Sequence, residues 1–383
     1  MSGTVRIKRR ASVVLLGVSI ASLATACTNT NNNAVIDPRL PIVFDGGAAV
    51  VDGPRSRTDL TGDASPLFDP GYLWFAGGGL SAFTRTATSS SQDRGPAFVV
   101  VPAPTASGYH DLAFDRDGNL WTIPIGSDRI ERIAASGLGP FAPPPAPDRV
   151  ITSAALARPQ SLAFDGSGNL WVLNYDGAGP SVANIVRFDA PFDDGDAGDR
   201  TPSATLNPSA ADRAIFNQGA SIAFDASGDL WFSAITSVAR VAGAPGAQGT
   251  ATATLAAVIG SGDSVFVSLA FDSTGALWIT GASAGYFVSR IDDARSLATP
   301  ADAAPSALLR LPSDGSSFAG GMAFDDQGTL WIAMSNRIVA LGAPGTAQGT
   351  LSVTPAITLG LSNPPDLATR LAFWPRPPGV PVY

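Results

Sequence analysis

The sequence predicts an all-β chain, a six-bladed β-propeller of four-stranded antiparallel blades, and three observations predict it. A phrase of the form apolar-Ala-Phe-Asp-x-x-Gly-x-Leu-Trp recurs, with tryptophans 74, 121, 171, 231, 278 and 331 spaced by 47, 50, 60, 47 and 53 residues. A period of about 50 residues belongs to propellers and arrays. Two strong helix formers are nearly absent, Glu131 being the only glutamate and Lys8 the only lysine. In their place stand 41 Gly, 31 Pro and many β-branched and aromatic residues, which suit short strands joined by tight turns.

Three regions are expected in order: a lipoprotein signal peptide over 1–26, a lipid-anchored flexible tether over 27–60 and the propeller over 61–383. Arg6, Lys8, Arg9 and Arg10 form a basic leader, and Ala11 to Ala26 an apolar stretch too short for a spanning helix. That stretch ends Leu23-Ala24-Thr25-Ala26-Cys27, which resembles the lipobox of bacterial lipoproteins, although its leucine sits one position further from the cysteine than usual. Cys27 is the only cysteine, so an intrachain disulfide or a Cys-based metal site is excluded and lipidation is the role expected of it. The alternative is an ordinary signal peptide that precedes a cysteine by chance. Thr28 to Asn33 is a polar run that reads as the tether. Cleavage before Cys27 would leave 20 arginines against 32 aspartates and glutamates, a charge of −12. So acidic a body argues against nucleic acid or an anionic lipid surface as partner, leaving the anchor as the expected link to a membrane.

Each repeat has a mechanical reading. The apolar run Leu112-Ala113-Phe114, and its copies from Leu162, Ile222, Leu269 and Met322, is a short buried strand. Asp-x-x-Gly closes a hairpin, because the carboxylate accepts backbone N–H groups and glycine supplies positive φ. Leu-Trp-apolar is the partner strand. A third strand follows, such as Asn184–Phe188 or Arg337–Leu341, and then a fourth, such as Ala253–Val258 or Ala356–Leu359. An indole at one fixed place in every repeat reads as packing between blades rather than as a ligand platform.

The first repeat, Phe68-Asp69-Pro70-Gly71-Tyr72-Leu73-Trp74, lacks a full apolar run before its turn. Arg370-Leu371-Ala372-Phe373-Trp374 copies that run at the far end of the chain. One reading sets this segment in the N-terminal blade as its innermost strand, closing the ring and removing open sheet edges. The other fills that slot with Ser65–Phe68 and leaves the last segment elsewhere.

The repeated phrase resembles the NHL-type and streptogramin-lyase-like six-bladed propellers over roughly Ala64 to Pro375. Neither the Gly-Gly-led repeat of kelch propellers nor the Trp-Asp endings of WD-repeat propellers is present. The resemblance implies the architecture but fixes no activity, since these families include enzymes and binding modules. Streptogramin lyases use a histidine base and a metal-binding glutamate late in the chain, and neither residue type occurs in the late blades here. Gluconolactonase-like propellers hold a divalent ion with a Glu/Asn/Asp set, of which Asn174, Asp176 and Asn336 would imitate a part.

Function in such a ring is expected on the rim formed by the starts of the inner strands and the loops after the Trp strands. Candidate binding residues there are His110, Gln160, Asn174, Tyr175, Asp176, Gln218, Tyr286, Asn336 and Arg370. His110 is the only histidine, which excludes a metal centre built on several imidazoles, and no catalytic set is assigned. Asp115-x-Asp117-Gly118-Asn119 looks like half of a calcium loop but reads more simply as a turn. Asp194, Asp196 and Asp199, in a run with Asp193, offer either a calcium loop or a solvated acidic loop between strands. A divalent cation such as calcium is the only cofactor these residues suggest. Pro140 to Pro147 reads as an extended connection, and the echoing loops Gly243–Thr250 and Gly342–Thr350 as marks of repeat duplication. The expected function is a monomeric, exported, lipid-anchored binding or scaffold module at the cell envelope, facing periplasm or cell surface. Its partner is then an unidentified protein or small molecule. The alternative is a metal-dependent lyase or lactonase-like enzyme with its site at the mouth of the central channel.

Overall fold

The computed structural model describes residues 72–84, 87–91, 98–100, 108–138, 146–175, 183–192, 198–216, 219–260, 265–283, 285–297, 304–312, 319–334, 336–342, 344–361 and 370–374. The expected signal peptide, the tether with Cys27 and the segment Ser65–Phe68 lie outside them. All the described residues fall within one compact unit, Phe68–Tyr383. Among them no helix is long and apolar enough to cross a membrane.

Six small sheets make up the fold, and it is a six-bladed β-propeller. The first blade begins with β1 (Tyr72–Ala76), β2 (Leu80–Thr84) and β3 (Phe98–Val100). Blade 2 contains β4 (Tyr109–Phe114), β5 (Leu120–Pro124), β6 (Arg129–Ile133) and β7 (Arg149–Thr152). The third is built from β8 (Pro159–Phe164), β9 (Leu170–Asn174), β10 (Ile185–Phe188) and, after the short β11 (Gly198–Asp199) that joins the blade 2 sheet, β12 (Ala204–Asn207). In blade 4 stand β13 (Gly219–Phe224), β14 (Leu230–Ala234), β15 (Ser237–Val241) and β17 (Leu255–Gly260), and between the last two the chain makes β16 (Gly249–Thr252), which joins the blade 3 sheet. Blade 5 holds β18 (Val265–Phe271), β19 (Leu277–Ser283), β20 (Gly285–Ile291) and β21 (Ala307–Arg310). The chain then lays down β22 (Ala319–Phe324), β23 (Leu330–Met334), β24 (Arg337–Leu341), β25 (Gly349–Ser352) and β26 (Ile357–Gly360). The last strand, β27 (Arg370–Trp374), returns to blade 1, where it pairs with β1 so that Leu73 faces Phe373 and Trp74 faces Ala372.

The hairpin phrase folds as its chemistry demands, with one bond more than a turn requires. Asp165 Oδ1 accepts the N–H groups of Ser167 (2.8 Å) and Asn169 (3.0 Å), which closes the turn. Its Oδ2 accepts Trp171 Nε1–H at 2.9 Å. The same carboxylate-to-indole bond forms from Asp115 to Trp121, Asp225 to Trp231, Asp272 to Trp278 and Asp325 to Trp331, at 2.8–3.1 Å. Gly168 takes φ 85°, the left-handed conformation that the turn needs and that a side chain would strain. Asn169 is not idle: its Oδ1 accepts the Ala190 N–H at 3.1 Å, pinning the chain after the third strand. In the Asp115 turn all four N–H groups that reach the carboxylate come from the turn itself or its tryptophan, so its oxygens are already used in place of a cation.

These five latched indoles and Trp74 are the bolts between blades. Each of the six meets, edge to face, a phenylalanine on the innermost strand of the next blade. The pairs are Trp74–Phe114, Trp121–Phe164, Trp171–Phe224, Trp231–Phe271, Trp278–Phe324 and Trp331–Phe373, with centroids 5.6–6.2 Å apart. All six indoles are fully buried. Burying about 150–250 Å² per indole makes these contacts the main apolar store of the ring. Trp331–Phe373 runs from blade 6 into β27, so the ring closes through the C-terminal strand, as the first sequence reading expected. Trp374 completes the closure by stacking on Phe114 at 5.2 Å and lying over Gly118, where a Cβ would meet its ring at 2.5 Å.

Four indoles also carry an arginine from the adjacent strand. Arg132, Arg187, Arg240 and Arg290 lie 5.5–5.7 Å from the ring centroids of Trp121, Trp171, Trp231 and Trp278. Each then reaches a carbonyl of the following blade: Phe192, Pro245, Arg295 and Gly345 respectively.

Blades are not strictly four-stranded. The chain that follows a blade's third strand leans back and adds a fifth, parallel strand to the preceding blade in three cases: β11 on β7, β16 on β12 and β25 on β21. The echoing Gly-Ala-Pro-Gly loops therefore have a structural job that sequence reading missed. Each makes a single 3₁₀ turn, at Ala244–Gly246 and Pro344–Thr346, that offers its carbonyl to the neighbouring arginine and launches the borrowed strand. Asp199, offered for either a calcium loop or a solvated acidic loop, stands in β11 opposite Thr152. Asp194 and Asp196 lie outside the described residues. Among the described residues no group of three or more His, Cys, Asp or Glu side chains is placed to hold a metal ion.

Candidate functional site

The six inner strands present equivalent residues one step before the apolar-Ala-Phe run: Arg370, Asp111, Ser161, Ser221, Ser268 and Gly321. These line the ring where the inner strands face one another, and they lace it together. Asp111 Oδ2 accepts the Leu162 N–H at 2.9 Å, and Ser161 Oγ accepts the Ile222 N–H at 3.1 Å, each bond running from one blade to the next. Arg370 ties the opposite sectors. Its Nε sits 3.5 Å from Asp111 Oδ1 in blade 2, and its Nη2 donates to the Ala220 carbonyl in blade 4. Burial raises the pKa of Asp111, while the Arg370 guanidinium and the hydrogen bonds from Ser161, Leu162 and Leu112 pull the other way.

Just before this ring, five inner strands carry a register shift against their neighbours: between Tyr109 and Asp111, Pro159 and Ser161, Gly219 and Ser221, Phe266 and Ser268, and Ala319 and Met322. Bulges re-aim side chains at the rims of closed sheets. His110 and Gln160 occupy two of these bulges, both half-buried, in neighbouring blades. The imidazole is held below its ordinary pKa by burial first, then by the charges of Arg370 and Arg158. Its neighbour Tyr109 is buried and pushed up to about 12 by burial and by Glu131, against the opposing charge of Arg129. Glu131 is buried and paired with Arg129 at 2.6 Å.

Arg158, which sequence reading passed over, organises the rim. It precedes Pro159 and has φ 50°, a left-handed conformation that costs a non-glycine residue about 1–3 kcal/mol unless its surroundings hold it. Four contacts hold it. Its N–H donates to Asp128 Oδ1 at 2.7 Å, and its carbonyl accepts from the Tyr175 N–H (3.2 Å) and from Gln160 Nε2 (3.3 Å). Its guanidinium covers the Tyr175 ring at 5.4 Å. No local pattern announces a left-handed arginine. The available signal was Arg-Pro directly before an inner strand.

His110, Gln160, Tyr175 and Arg370 thus meet on one part of the rim, over blades 1 to 3. Asn174 is adjacent but turned inward and buried. Its amide donates to the Ala155 carbonyl (2.8 Å) and Asn184 Oδ1 (2.7 Å) and accepts the Ala157 N–H (3.2 Å), so it braces the loop that carries Arg158. Tyr286 belongs to blade 5 and packs against the core between blades 5 and 6. Asn336 is exposed on blade 6, its carbonyl accepting the Leu361 N–H at 3.0 Å. Asp176 and Gln218 lie outside the described residues. Two guanidiniums beside a neutral imidazole make this part of the rim unsuited to a metal cation and suited to hydrogen-bond acceptors.

No protein-family model matches the chain. No curated protein matches it. Solved structures do. A protein of unknown function from Bacteroides caccae superposes with TM-score 0.53 at 11% identity, covering 80% of this chain and 99% of that one. The nidogen/laminin complex gives TM-score 0.51 at 14% identity over 79% of this chain and 98% of that one. A streptogramin B lyase gives 0.47 at 14% identity over 74% and 80%. At such identities the shared feature is the propeller fold alone.

Proposed function

We propose that this protein is a ligand-binding propeller, exported and held at the cell envelope through a lipid on Cys27, with its binding site on the rim over blades 1 to 3. The observation that carries the reading is Arg158. A residue kept in a costly backbone conformation by four separate contacts, beside a re-aimed His110, is what a preorganised site requires. Elsewhere on the described rim the bulges carry Ala220 and Val267, which offer little chemistry. A thermal-shift screen of sugars, lactones, cell-wall fragments and metal salts against the purified protein tests it. At least one compound is expected to raise the melting temperature of the native protein but not of Arg158→Gly. A screen in which every response survives that change would overturn the rim assignment. Export and anchoring are tested by labelling cells with a palmitate analogue: the native chain should carry label and Cys27→Ser should not.

One observation favours the lyase or lactonase alternative. A neutral histidine flanked by two guanidiniums is a competent proton acceptor next to developing negative charge. It predicts turnover of a lactone or related small substrate that His110→Ala abolishes. Turnover unchanged in His110→Ala would remove it.

A further inference from the structure

We infer that the rim site recognises an oxyanion, a carboxylate or phosphate group on a small ligand, through the guanidinium of Arg158 with His110 beside it. The inference rests on the ligand-binding reading and gives that site its chemistry.

On the rim over blades 1 to 3 the geometry singles out one cation. The chain carries a net charge of −8, and most of its buried or half-buried arginines are already spent. Arg129 is paired with Glu131, Arg132 with Asp148, Arg187 with Asp189, Arg290 with Asp292 and Arg370 with Asp111. Among the described residues, Arg158 is exposed and enters no ion pair. The Asp128 carboxylate accepts its backbone N–H rather than its guanidinium.

The Tyr175 ring takes one face of that guanidinium. The side chain remains exposed, and the fork of N–H donors on a guanidinium matches a carboxylate or phosphate. Gln160 gives one amide N–H to the Arg158 carbonyl, which steadies the loop beneath the guanidinium. His110 adds a second donor from the neighbouring blade. The charged and titratable groups around it are Arg370 on β27, Arg158 before β8, and Asp111 and Tyr109 on its own strand. Asp111 is committed to Arg370 and to Leu162 N–H, so it does not repel an anion at the mouth as a free carboxylate would.

The chain has one histidine, which makes the test direct. The imidazole C–H signals of His110 are followed by NMR while the full-length protein is titrated with sodium glucuronate, inorganic phosphate, glucose or sodium chloride at matched ionic strength. Glucuronate or phosphate is expected to move the His110 signals saturably and to raise its pKa, since a bound anion favours imidazolium. A response to glucuronate alone assigns a carboxylate ligand, and one to phosphate alone a phosphate ligand; either supports the inference. Arg158→Gly accepts φ 50° without strain, so it removes the guanidinium while leaving the loop its conformation. It should weaken anion binding by roughly 10- to 100-fold. An equal response in Arg158→Gly, or no response to either anion beyond that to chloride, would overturn the inference. A saturable response to glucose with none to the anions would overturn it too, while leaving a ligand-binding rim in place.

Discussion

Replacing Asp165 with alanine removes the carboxylate at the centre of the blade 3 hairpin. Both partners of its key bond are inaccessible to water, Asp165 being 3% and Trp171 0% exposed, so solvent cannot replace what is lost. The indole N–H is left buried without an acceptor, at a cost of about 1–3 kcal/mol, and the Ser167 and Asn169 N–H groups lose about 0.5–1.5 kcal/mol each. The whole change should cost about 3–5 kcal/mol, a large share of the roughly 5–15 kcal/mol that holds a typical protein folded. Urea unfolding followed by far-UV circular dichroism reads it. With a slope of about 3 kcal/mol per molar, the midpoint should fall by roughly 1–1.7 M.

Trp171→Phe tells whether the indole bond is the reason. Phenylalanine keeps an aromatic body against Phe224 but has no N–H to satisfy. In that background Asp165→Ala should cost about 1–2 kcal/mol less than it does alone, a coupling that a double-mutant cycle isolates. An equal cost in both backgrounds, or a midpoint shift below about 0.3 M, would refute the latch as a stabilising bond.

Three further outcomes are expected. A chain ending at residue 369 loses β27, and with it the Trp331–Phe373 contact and the Arg370–Asp111 pair; it should self-associate through the uncovered β1 edge, which sedimentation velocity would detect. Arg187→Ala should destabilise by about 2 kcal/mol, because the buried guanidinium covers Trp171 and donates to the Pro245 carbonyl, whereas its bond to half-exposed Asp189 adds little. Tyr109, raised from 10.0 to about 12, ionises earlier in the unfolded chain than in the folded one. Between those two values the unfolded chain binds fewer protons, so stability should fall as pH rises from about 10 to 12, and Tyr109→Phe should flatten that fall in unfolding measurements.

The ring was legible because every residue of its phrase has a local mechanical duty that composition alone exposes. Aspartate and glycine close the turn, the apolar run is the inner strand, and tryptophan is the bolt. Even the closure could be read, since Arg370–Trp374 repeats a run that the first blade lacks. The borrowed strands could not. Gly249–Thr252 and Gly349–Ser352 are short, polar and largely exposed, and what makes them strands is the open edge of a preceding blade rather than their own pattern. The rim was legible in part. His110, Gln160, Tyr175 and Arg370 follow from their place at the inner-strand starts and after the Trp strand of blade 3. Asn174 shares that position yet faces inward, because the loop carrying Arg158 needs its amide. Arg158 itself depends on a backbone torsion, and no residue pattern encodes a left-handed arginine.

The borrowed strands mean that the propeller's building unit is not a blade. Each unit overhangs its predecessor like a roof tile, spanning one sheet and the margin of another. A gene segment copied along sheet boundaries would leave one overhang missing and one unsupported. Lengthening or shortening such a ring therefore works only when the copied piece begins and ends inside a sheet, and the same offset should guide any attempt to graft its sectors onto another propeller.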